Sequence, residues 1–74
     1  MADGVAVITG AASGIGEASA RRFAAAGLTV AALDRDGEGA ARVAGELGGA
    51  GYGVDDADAA ALAEVAARIE GELG

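Results

Sequence analysis

A chain of 74 residues builds one domain at most, at the size where a single hydrophobic core is barely sufficient. The absence of cysteine and histidine excludes disulfides, thiolate metal sites and the commonest general base, and five arginines against a net charge of −7 leave no basic patch for a nucleic acid. Much of the 53% hydrophobic content is alanine and only 3% of residues are aromatic, so a thin core is expected, or one that a partner completes.

In chain order, "MADG" leads into "VAVI" without a basic n-region or a long apolar stretch, and no apolar run approaches the roughly 20 residues of a membrane span. A cytoplasmic location with no membrane partner is the expectation. Val5 to Ile8 reads as a short buried strand. Ile15 to Ala26 reads as a helix, with Ile15, Ser19 and Phe23 on one line and Gly27 as its C-terminal stop. Leu28 to Leu33 is a second strand. Ala40, Val43, Ala44 and Leu47 share a helical face that Gly48 ends, and Gly51 to Val54 is a weak third strand on which Tyr52 packs. Leu62, Val65, Ala66, Ile69 and Leu73 repeat the helical stripe, with Asp56 or Asp58 as N-cap. Strands alternating with helices on short connections predict an α/β fold: a three-stranded parallel sheet, the βαβαβα half of a Rossmann fold, as one unit over residues 1–74.

The stretch "ITGAASGIG" (Ile8 to Gly16) carries the chemistry. Three glycines between a strand and a helix supply a sharp turn, a close approach of backbone to a pyrophosphate, and tight packing of helix on sheet. The amides from Ser13 to Gly16 would face the anion, and the helix dipole would add to them. This suits a chain so poor in cations. A Walker A loop is excluded, because the sequence contains no lysine.

Asp34 closes the second strand, where a dinucleotide fold places an acid for the adenosine ribose hydroxyls. A 2′-phosphate there would meet a like charge, which favours NAD over NADP. Arg35 follows and can offset part of that repulsion by pairing with a phosphate, or else lies in solvent or stacks on adenine. The acids of "DDAD" (Asp55 to Asp58) open a helix, where they serve the dipole and the cap better than they would a metal.

These residues resemble the classical short-chain dehydrogenases/reductases. "TGAASGIG" is similar to that family's Thr-Gly-x-x-x-Gly-x-Gly cofactor motif, and "ALDRD" (Ala32 to Asp36) to its NAD-type second-strand terminus. The resemblance implies that Thr9 and Gly10 shape the loop, that Ser13, Gly14, Ile15 and Gly16 meet the pyrophosphate and ribose, and that Asp34 holds the ribose diol, with Arg35 beside it. It implies an adenine contact for Asp55, and it places Asp56 where the family usually has an aliphatic residue. It covers the whole chain but only the first third or so of a family member, so the chain reads as the cofactor-binding segment of a longer enzyme. The family's fourth strand ending in Asn-Asn-Ala-Gly and its Tyr-x-x-x-Lys pair have no counterpart, for there is no asparagine or lysine and Tyr52 is followed four residues on by Asp56.

Two readings of function follow. In the first, the chain is the NAD-binding part of an oxidoreductase acting on an alcohol or ketone, its catalytic residues lying elsewhere in a longer enzyme or on a complementary chain. In the second it is a non-catalytic module that self-associates through the exposed first strand, Val5 to Ile8, about a twofold axis parallel to the strands.

Overall fold

The computed structural model describes residues 4–55 and 57–73. The elements alternate as predicted: β1 (Val5–Thr9), α1 (Gly14–Ala25), β2 (Thr29–Asp34), α2 (Gly37–Leu47), β3 (Ala50–Gly53) and α3 (Ala59–Leu73). The strands form one parallel sheet in the order β1-β2-β3, with Val7 opposite Ala31 and Leu33 opposite Tyr52. Gly27 and Gly48 take positive φ at the two helix ends where the sequence places them. No helix among the described residues is long and apolar enough to cross a membrane.

Alternation along β2 divides the core in two, since successive side chains point to opposite faces. Val30 and Ala32 pack with Ala20 of α1 and with Ala40, Val43 and Ala44 of α2. Ala31 and Leu33 face the other way, onto Tyr52 and onto Val65 and Ile69 of α3. Among the described residues, six of the thirteen buried apolar ones are alanine, and the largest fully buried side chains are Val30 and Val43. The core is thin, and its helices must approach the sheet closely to exclude water.

The α2 and α3 stripes lie largely as predicted, with Leu47, Leu62 and Leu73 half-buried at their margins and Ala66 exposed. The register of α1 is different. Ile15 is 85% exposed and Phe23 is 44% exposed, whereas Gly16 and Ala20 are buried. The line facing the sheet is thus Gly16, Ala20 and Ala24, one residue on from the predicted one. Its smallness is the cause: a Cβ on Gly16 would overlap the Gly10 carbonyl oxygen, so α1 rests on the loop backbone, and a larger side chain on that line would lift it away.

On the outer surface, Arg21 reaches Glu17 at 2.6 Å and Glu46 at 2.5 Å, and Arg42 approaches the same two acids at 3.5 Å. This quartet ties α1 to α2 where apolar contact is sparse. Its members are partly solvated, so it orients the helices more than it stabilises them.

Close approach recurs between β3 and α2, where a Cβ on Gly51 would sit 2.5 Å from the Ala41 amide nitrogen. Gly51→Ala should therefore lower stability by about 1–3 kcal/mol through overpacking. Gly45 lies in α2 with nothing within 4 Å of its Cβ position, and Gly45→Ala should raise stability by about 0.5–1 kcal/mol. Urea unfolding followed by circular dichroism measures both, and equal responses would contradict the packing described.

Candidate functional site

A parallel sheet gathers its strand ends, and with them the N-termini of the crossover helices, along one edge. Thr9 ends β1, Asp34 ends β2, and Gly53 ends β3 just before Asp55. Gly10 turns the chain off β1 with φ +65°, a conformation that glycine adopts without strain. Three contacts then fix the loop. The Ala11 amide donates to the Leu33 carbonyl at 3.0 Å, the Ser13 amide to the Gly10 carbonyl at 3.0 Å, and the Ser13 hydroxyl to the same oxygen at 2.7 Å.

Ser13 is the N-cap of α1, its hydroxyl accepting the Gly16 amide at 3.2 Å. The expectation that all four amides from Ser13 to Gly16 face a ligand is therefore corrected. Those of Ser13 and Gly16 are consumed inside the loop. The amides of Gly14 and Ile15 are too early in the helix to bond within it, and among the described residues no acceptor meets them. They stand at the positive end of the α1 dipole, with the Ile15 side chain open beside them. Gly14 has nothing within 4 Å of its Cβ position, so the space in front of these amides is clear.

Asp34 is half-buried, and its carboxylate is organised on both sides. Oδ1 accepts the Asp36 amide and Oδ2 the Ala12 amide, each at 2.9 Å. These two bonds, the Asp36 one first, hold its carboxyl below the usual carboxylate range. Asp34 is thus a clamp between the glycine loop and the turn into α2, and a carboxylate with two bonds made keeps further acceptor capacity for hydroxyl donors. The donor Ala12 escaped the sequence reading because a main-chain amide leaves no trace in residue type. Asp36 caps α2 through the Gly39 amide at 3.0 Å, a role the pattern Asp-x-x-Gly before a helix could have suggested.

Arg35 lies neither alone in solvent nor directed at a phosphate: its Nε and an Nη donate to Asp55 Oδ1 at 3.1 and 2.9 Å. The same oxygen accepts the Ala57 amide at 2.9 Å, and this bond, followed by Arg35, lowers the Asp55 carboxyl below its ordinary range. Asp58 caps α3 through the Ala61 amide at 3.1 Å. Asp56, the other candidate cap and site residue, lies outside the described residues. Tyr52 packs on β3 as predicted, and its hydroxyl donates to Glu72 at 2.8 Å under the Arg68 guanidinium; burial, then Glu72, raises its pKa.

A carboxyl whose folded pKa is depressed adds stability that is complete above its unfolded value, near pH 4, and is lost as pH falls through the folded value. Asp34, Asp55, Glu17, Glu46 and Glu72 are all lowered. Urea midpoints should therefore drop as the chain is acidified below about pH 4. Asp34→Asn should make that drop shallower, and a drop as steep as in the parent chain would deny the clamp its charge.

Comparison with known proteins agrees with this fold. The family model described as short chain dehydrogenase matches residues 4–74. D-threitol dehydrogenase of Mycolicibacterium smegmatis is 44% identical over 95% of the chain. Among solved structures, 3-ketoacyl-(acyl-carrier-protein) reductase from Brucella melitensis complexed with NADH superposes with TM-score 0.80 at 46% identity over 89% of the chain. The structure described as ribose-5-phosphate isomerase from Brucella melitensis 16M superposes with TM-score 0.86 at 38% identity over 95%. The chain spans 29%, 28% and 27% of the lengths of these three proteins respectively.

Proposed function

The chain belongs to the short-chain dehydrogenase family, and from that premise we propose that its strand-end site binds the adenosine and pyrophosphate part of NAD for an oxidoreductase acting on an alcohol or ketone. The family binds nicotinamide dinucleotides, and a solved relative carries NADH. The observation that carries the reading is the pair of unsatisfied amides at Gly14 and Ile15, at a helix N-terminus with clear space before them. On this reading those amides and the α1 dipole hold the pyrophosphate, the Ile15 side chain flanks it, and the Asp34 carboxylate, oriented by Ala12 and Asp36, accepts from the ribose diol. Thr9 and Gly10 shape the turn, Asp55 borders the adenine, and Asp56 follows it in the chain. NAD supplies the hydride acceptor. The chain's own residues bind and orient, and the proton donor that hydride transfer also needs is contributed from outside these residues, by more of the same enzyme or by a complementary chain.

Isothermal calorimetry with NAD and with ADP tests this. Binding is expected, Gly14→Asp should abolish it, and Gly14→Ala should weaken it about tenfold or more by filling the space before the amides while leaving the melting temperature unchanged or higher. Absence of heat at millimolar ligand would overturn the reading for this chain.

A second reading, self-association through β1, is favoured by one observation: β1 is the edge strand and Val7 on it is 52% exposed. Sedimentation should then show a dimer that Val7→Arg dissociates. A folded monomer at high concentration would count against it.

A further inference from the structure

Asp34 serves a ribose well only if its carboxylate is held at a fixed angle, and the amides of Asp36 and Ala12 hold it, on Oδ1 and Oδ2, each at 2.9 Å. An amide orients a carboxylate only as firmly as its own peptide is fixed. The Ala12 amide sits in the glycine loop, which the bonds to Gly10 and Leu33 close. The Asp36 amide lies in the short turn between β2 and α2, and what anchors Asp36 there is its hold on the helix that follows. Its Oδ1 accepts the Gly39 amide and its carbonyl oxygen accepts the Ala40 amide, each at 3.0 Å. The first turn of α2 is a firm support for that anchor. A Cβ on Gly37 would lie 3.1 Å from the Gly53 Cα, and a Cβ on Gly39 would lie 2.7 Å from the Ala12 Cβ and 2.5 Å from Oδ2 of Asp36. The turn is thus wedged between the end of β3 and the glycine loop, and the bare Gly39 leaves room for the capping carboxylate.

We propose that Asp36 is a positioning residue for nucleotide recognition: by capping α2 with its side chain, it locks its own amide onto Asp34 and so fixes the angle at which the Asp34 carboxylate meets a ribose diol. The proposal rests on the dinucleotide reading above and adds to it a residue that acts through another. The cap and the orienting amide belong to one residue, so loss of the side-chain bond to Gly39 loosens the peptide that Asp34 depends on. A hydroxyl bonded to a charged carboxylate contributes about tenfold in affinity, and a misaligned carboxylate forfeits much of that.

Charge and cap separate at this position, because asparagine caps a helix as well as aspartate does but carries no charge. Calorimetry with ADP and with its 2′,3′-dideoxy analogue isolates the diol's share of the affinity in the parent chain, Asp36→Asn and Asp36→Ala, and a carboxyl NMR titration follows Asp34 in each. The share should be about tenfold in the parent chain and should stay within about twofold of that in Asp36→Asn. In Asp36→Ala it should fall about three- to tenfold, and Asp34 should titrate at a higher pH than in Asp36→Asn. Both replacements remove the same charge, so the difference between them reports the cap. Equal behaviour of the two variants would mean that Asp36 acts by charge or not at all, and it would overturn the proposal. Asp36→Gly takes the place of Asp36→Ala if circular dichroism shows that the alanine variant does not fold, since glycine at an N-cap costs the helix little and offers no side-chain acceptor. If the parent chain binds neither ligand, or both alike, the dinucleotide reading fails at Asp34 and takes this inference with it. If the parent chain prefers ADP and the preference is the same in all three chains, only this inference fails.

Discussion

A helix can rest on a loop at backbone distance only where no side chain intervenes, and the contact of Gly16 with the Gly10 carbonyl is that constraint here. It sets the depth of α1 on the sheet, and the rest follows in sequence. With α1 so close, the line below Gly16 has room only for Ala20 and Ala24. With small residues on both partners, each contact buries little apolar area, so stability must come from fit and number rather than from side-chain size. The same depth places the start of α1 against the end of β1, which leaves the Gly14 and Ile15 amides at the rim of the sheet. Helix packing and the exposure of these two amides are therefore one geometric choice.

The chain's acidity is used in a consistent way. Asp34, Asp36, Asp55 and Asp58 each accept main-chain amides, and together they stitch the β1, β2 and β3 ends to the helices that follow. An acid that accepts an amide at a helix start also complements the dipole there, so negative charge accumulates at the binding edge without being buried. A phosphate binding at that edge must be met by amides lying between these carboxylates. On the proposed reading, that arrangement is how an acidic chain without lysine presents an anion site.

Much of this was legible in the sequence. The alternation of strands and helices, the stops at Gly27 and Gly48, and the burial of Val43, Val65 and Ile69 follow from period and from glycine conformation, which act locally. The α1 register did not follow, because Ile15 and Phe23 outweigh Gly16 and Ala20 on any hydrophobic count, and only the tertiary approach to Gly10 reverses their order. The gathering of Thr9, Asp34 and Asp55 at one edge was legible from topology, since parallel strands share a C-terminal edge. What joins them was not. The Ala12 amide has no signature in residue type, and the Arg35 to Asp55 pair depends on two strand ends lying side by side, with twenty residues between them in the chain.

The two faces of the sheet are unequally finished. On the α1 and α2 side, Val30, Ala32, Ala40 and Val43 are fully shielded, while on the α3 side Val7 stays half-exposed in a hollow with Leu33, Leu62 and Ala66. The helix α3 follows β3, the strand farthest from β1, and it packs chiefly over Leu33 and Tyr52. Apolar surface left along β1 is therefore a product of topology, since one helix must cover three strands on that face while two cover them on the other. The amide pair at Gly14 and Ile15 and the Asp34 clamp lie apart from that hollow, on the loop after β1, the start of α1, the end of β2 and the turn into α2.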